Sequence, residues 1–112
     1  MIEKIVLDYL SENLKVKVFM EEPETPPESY VLIDRTNGDD ELVTEATIAL
    51  QSYGNSLLEA CKLNEEVKRV MRDIVKLNPI TKCKLDTDYN FTDTETKRYR
   101  YQAVFNLVYY GR

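Results

Sequence analysis

The sequence predicts an α+β domain: one mixed or antiparallel sheet of about five strands with two helices packed on it. Three observations predict it. Residues 2–14 and 55–77 carry apolar side chains at helical spacing. Five other segments alternate or run apolar over strand length. The elements follow in the order α-β-β-β-α-β-β, and each helix has a single apolar side that must lie on a sheet.

The first helix is read from Ile2, Ile5, Val6, Tyr9, Leu10 and Leu14, which form one stripe, with Glu3, Lys4, Asp8 and Glu12 outside it. "KVKVFM" (15–20) alternates Lys15, Lys17 and Phe19 against Val16, Val18 and Met20, a strand. "EEPETPPES" (21–29) has three prolines, which cannot donate ladder hydrogen bonds, and so reads as a stiff connection.

"YVLIDR" (30–35) is the next strand. "TNGDDE" (36–41) contains Asn-Gly, a strong hairpin signal, and "LVTEATIALQSY" (42–53) returns with Ala46, Ile48 and Leu50 on one face. Gly54 breaks the strand. The long helix 55–77 follows, with Asn55 or Ser56 as cap and Glu59 placed to close a capping box. Its stripe is Leu57, Ala60, Cys61, Val67, Val70, Met71 and Ile74. Asn64 interrupts that stripe without any reason visible in the sequence. Pro79 ends the helix.

"ITKCKLDTDYNF" (80–91) starts as a strand, with Cys83 and Leu85 inward and Lys82 and Lys84 outward. Residues 86–96 read as an acidic, threonine-rich loop. The last strand, "KRYRYQAVFNLVYY" (97–110), puts Tyr99, Tyr101, Ala103, Phe105, Leu107 and Tyr109 on one face. Its other face begins polar with Arg98, Arg100 and Gln102, but ends with Val104, Val108 and Tyr110. Those three side chains need a cover that the strand pattern does not supply.

With 112 residues the chain reads as a single domain, 1–112. Its formal charge of −5 makes it a poor general binder of nucleic acid. It has no run of about 18 apolar residues, so no membrane-spanning helix is expected. Glu3 and Asp8 inside the opening "MIEKIVLDYL" read against a signal peptide, which places the chain in the cytosol or in a particle assembled there. Cys61 and Cys83, on a helix stripe and an inward strand face, read as buried free thiols.

The sequence contains no histidine, which removes mechanisms that need imidazole as base or ligand. Asp86, Asp88 and Asn90 begin like a calcium loop, but Phe91 and Lys97 stand where that loop needs its glycine and its glutamate. "DRTNGDDE" has its glycine at the wrong place. No carboxylate pair sits in an apolar pocket, and no glycine-rich phosphate loop occurs. The expectation is therefore no enzyme, no metal and no cofactor. Arg98 and Arg100, followed on the same face by Val104, Val108 and Tyr110, have interface-like composition. The sequence thus predicts that another protein chain, a second copy first of all, covers this face, with the proline-rich segment 21–29 or the chain's own ends as the rival cover.

Three segments carry a likeness: "YVLIDRTNG" (30–38), "EATIALQSYG" (45–54) running straight into the long helix, and "TDTETKRYRYQAVFNLVY" (92–109). Together they resemble the tail terminator, or tail completion, proteins of phages and prophages with long non-contractile tails, over nearly the whole chain. The resemblance implies a structural virion protein assembled in the bacterial cytoplasm. It implies a homohexameric ring, with some members monomeric before they meet the tube, whose partners are other copies of itself, the tail tube protein and the head connector protein. Such a ring ends tube polymerisation and lets DNA pass without reading its sequence.

The interface expected from this likeness and from the strand face comprises Arg98, Arg100, Val104, Val108 and Tyr110, with Asn37, Asp39, Asp40, Asp86 and Asp88 from the acidic loops. Carboxylates of those loops lining a lumen would repel DNA phosphates. Alternatives are a head–tail connector or stopper protein and a small ligand-binding regulatory domain.

Overall fold

A computed structural model describes residues 1–38 and 43–110, without the side chains of 35–38 and 43. Its elements are α1 (Ile2–Asn13), β1 (Lys17–Phe19), β2 (Tyr30–Gly38), β3 (Val43–Gly54), α2 (Leu57–Arg72), a 3-10 turn (Ile74–Lys76), β4 (Ile80–Asn90) and β5 (Tyr99–Tyr110). One five-stranded sheet has the order β1-β2-β3-β5-β4. β1 pairs parallel to β2 and every other pair is antiparallel, so the sheet is mixed and the class is α+β.

Side-chain period two decides which face is dry. Val31, Ile33, Ala46, Ile48, Leu50, Ala103, Phe105, Leu107 and Tyr109 all point to one side. There they join Ile2, Val6 and Leu10 of α1 and Val67, Val70 and Met71 of α2 in one core. Both helices therefore lie on the same face. Tyr9 fastens them together, its hydroxyl donating to the Val70 carbonyl at 2.7 Å.

Gly54 explains how β3 can pass directly into α2. A Cβ on it would lie 2.6 Å from the Ala60 nitrogen and 2.9 Å from the Glu59 carbonyl carbon. Only a residue without a side chain allows the first helical turn to pack that close. Ser56 caps the helix by accepting from the Glu59 N–H at 3.1 Å, which satisfies one of the free donors of the first turn.

The structure corrects the sequence in several places. β1 shrinks to Lys17–Phe19. Asn37 and Gly38 belong to β2, opposite Thr47 and Ala46, and the residues that join β2 to β3 lie outside the described ones. Leu57 is off the core, 40% exposed at the helix start. Asn64 is in it: 1% exposed, with neither side-chain polar atom hydrogen-bonded among the described residues. The supposed loop at 86–90 is strand. β4 continues to Asn90, opposite Tyr101, because β5 offers it a full-length partner despite its poor strand composition.

Candidate functional site

The candidate site is the sheet face away from the helices. Its rows follow from the register. Asp34, Ala49, Val104 and Thr87 lie side by side on β2, β3, β5 and β4, as do Thr47, Asn106 and Lys84 on the last three strands. Glu45, Val108 and Lys82 form the next row. Val104 and Val108 are partly exposed, and Tyr110 is 50% exposed. None of the three lies under a helix, because they alternate with the core residues of β5.

Between these apolar positions runs a polar ladder. The Thr47 hydroxyl donates to the Asn106 side-chain oxygen at 2.9 Å, and the Gln51 amide donates to Gln102 at 2.9 Å. Gln102 in turn donates to the Tyr89 hydroxyl. These bonds link side chains of β3 to β5 and of β5 to β4 across the face.

At the other end of this face the chain covers itself. Tyr30 and Tyr53 stack at 4.4 Å with nearly parallel rings and are almost fully buried. Arg98 lies 4.9 Å over the Tyr53 ring and donates to Glu22 and to the Tyr30 hydroxyl. Tyr30 also donates to Glu22. Arg100 donates to the Phe91 carbonyl at 2.7 Å and to the Tyr53 hydroxyl at 2.9 Å, and its guanidinium sits 4.4 Å over the Phe91 ring. The proline-rich connection is thus tied down through Glu22.

Electrostatics reinforce that tie. Burial would raise the Glu22 carboxyl, but hydrogen bonds from Tyr30 and Arg98 outweigh it and hold the group below the usual carboxylate range. Tyr30 is pushed well above the ordinary phenol range, by burial first and then by its bond to Glu22. Between the connection and the strand ends lies a cleft of about 190 Å³, lined among others by Pro26, Glu28, Tyr53 and Arg98. That is small beside the roughly 300–1,000 Å³ of common ligand pockets.

The expected interface residues fall into three groups. Val104, Val108 and Tyr110 share the uncovered part of the face. Arg98 and Arg100 share the face too, but within the self-covered end, where their guanidinium groups serve the fold. Of the acidic residues, the structure sets Asp86 and Asp88 in different surroundings. Asp86 sits in the β4 bulge between Leu85 and Thr87. Asp88 points to the helix side and pairs with Lys68 of α2 at 3.2 Å. The backbone of Asn37 lies in β2, and Asp39 and Asp40 lie outside the described residues.

No group of His, Cys, Asp and Glu side chains among the described residues could hold a metal ion. Burial pushes the Cys83 thiol up to about 11, so it stays protonated at neutral pH and is a weak nucleophile. No helix among the described residues is long and apolar enough to cross a membrane. Compared with known proteins, the chain matches no family model and no curated sequence.

Sequence reasoning missed Glu22 as the partner of Arg98. The residues are 76 apart in the chain, and nothing local links them. The signal that could have found it was the pairing of a lone short strand with an acidic, proline-rich return.

Proposed function

We propose that this chain is a structural virion assembly protein. It caps the tail tube of a phage, ends tail polymerisation and joins the tail to the head connector, acting with other copies of itself. The observation that carries this reading is the one-sided sheet. Two helices cover one face, and Val104, Val108 and Tyr110 remain outside on the other, beside exposed Tyr89. A mixed apolar and hydrogen-bonding surface of that kind suits a protein partner. The acidic charge suits a protein through which DNA passes without being held.

The test is co-assembly. Purified protein is added separately to terminator-free tail tubes and to portal-bearing heads. Binding to tubes first, followed by head joining, is the expected result. Binding to heads first would replace the terminator reading with a stopper. A Val104→Asp, Val108→Asp variant changes two side chains outside the core and should keep the fold while losing tube binding. Full tube binding by that folded variant would refute the role given to the open face.

A further inference from the structure

The two edges of the sheet differ in a way that the open face alone does not explain. β1 pairs only with Tyr30, Val31 and Leu32 of β2. From Ile33 to Gly38, β2 therefore has no strand on its outer side among the described residues. At the opposite edge β4 has no outer strand among the described residues, and eight of its eleven residues are exposed, Leu85 and Tyr89 among them. Both edges present unpaired backbone groups, the template on which another strand can form.

The heights of these edges match. Counting across the register, Asp34 stands level with Thr87, and Asn37 stands level with Lys84. Their directions match as well. β2 runs with β5, and β4 runs against β5, so β4 runs opposite to β2. A second copy placed beside the first in the same orientation would set its β4 antiparallel to the first copy's β2.

Their charges are complementary. Asp34 is exposed on the open-face side of β2, and Lys82 and Lys84 are exposed on the same side of β4. None of the three makes an ion pair with a described residue. The Lys84 row lies two residues along β5 from the Asp34 row. That diagonal offset of about 7–8 Å is still within reach of a long side chain across neighbouring strands.

From this we infer that the free edge of β4 adds to the free edge of β2 in a second copy of the chain, antiparallel, with Lys84 meeting Asp34. The inference rests on the assembly reading above and gives it a contact. The lysines and the bulges of β4 discourage indiscriminate strand pairing, and they select an edge that offers an acid at the right height. Such a contact joins two different patches, so it repeats head to tail and either closes into a ring or continues as a filament.

Charge swapping tests it. Native mass and sedimentation are followed over a wide concentration range at low salt for the wild type, Lys84→Glu, Asp34→Lys and the double variant. Both positions are exposed, so the fold should survive each change, which circular dichroism verifies. Each single reversal puts like charges together and should raise the concentration of half-assembly by about tenfold or more. The double variant restores opposite charges in every contact and should return to near the wild-type value.

A wild type that stays monomeric throughout, single variants that assemble normally, or a double variant that is not rescued would each overturn the contact. Tube binding is scored on the same samples. A wild type that binds tubes without self-association sinks the edge contact alone. One that self-associates but ignores tubes and heads sinks the assembly reading alone.

Discussion

Replacing Gly54 with alanine tests whether the β3–α2 junction is set by space or by chain freedom. At an unstrained position the change would stabilise the protein by about 0.4–1 kcal/mol, because alanine restricts the unfolded chain. Here the new Cβ would meet the Ala60 nitrogen at 2.6 Å and the Glu59 carbonyl carbon at 2.9 Å. Both are backbone atoms and cannot rotate away. An ordinary contact begins near 3.4 Å, so the first turn of α2 must retreat by about 0.8 Å.

That movement pulls on the bond from the Ala60 N–H to the Ser56 carbonyl, now 3.0 Å, and on the Ser56 cap beside it. Overpacking of this kind costs about 1–3 kcal/mol. For a chain of 112 residues the matching fall in melting temperature is about 4 °C per kcal/mol. Urea titration with an unchanged slope and a lower midpoint is the expected result. A Gly54→Ala protein as stable as the wild type, or more so, would refute the steric account, since the sign of the effect separates the two explanations.

Three further outcomes follow from single contacts. Tyr9→Phe removes the hydrogen bond that joins α1 to the Val70 carbonyl and should cost about 0.5–1.5 kcal/mol in urea titration, with no change in the sheet. Asn64→Val should stabilise by about 1–3 kcal/mol, because it removes a buried amide with no partner among the described residues, and valine and asparagine have similar helix propensities. Loss of stability would show that the amide is satisfied in solution.

Glu22 has its folded pKa held below the unfolded one, so its contribution is present above the ordinary carboxylate range and is lost as pH falls through the lowered value. Tyrosine fluorescence or amide exchange at 20–30 should therefore report release of the connection on the acid side. Glu22→Gln should remove that dependence.

Much of the fold was legible because periodicity records the burial of each element by itself. Ile2, Val6 and Leu10 mark the dry side of α1, and Ala46, Ile48 and Leu50 that of β3, whatever their partners. The alternation of β5 likewise fixed that Val104, Val108 and Tyr110 would face away from Ala103, Phe105 and Leu107. Given helices on one side of the sheet, those three had to be on the other.

Only the tertiary structure decided the rest. It inserted β5 between β3 and β4, which made β4 an edge, and it paired β1 with only Tyr30, Val31 and Leu32 of β2, so that the rest of β2 has no outer strand among the described residues. It turned Asp86 and Asp88 from loop into strand and sent Asp88 to Lys68, since pairing with β5 overrides weak local preference. It spent Arg98 on Glu22 and Tyr30, and it placed Asn64 inside the core. The physical reason is the same in each case. A side chain's burial pattern is written along its own element, whereas its partner is chosen among all segments that the folded chain brings near. That choice depends on long-range pairings for which a linear sequence carries no period.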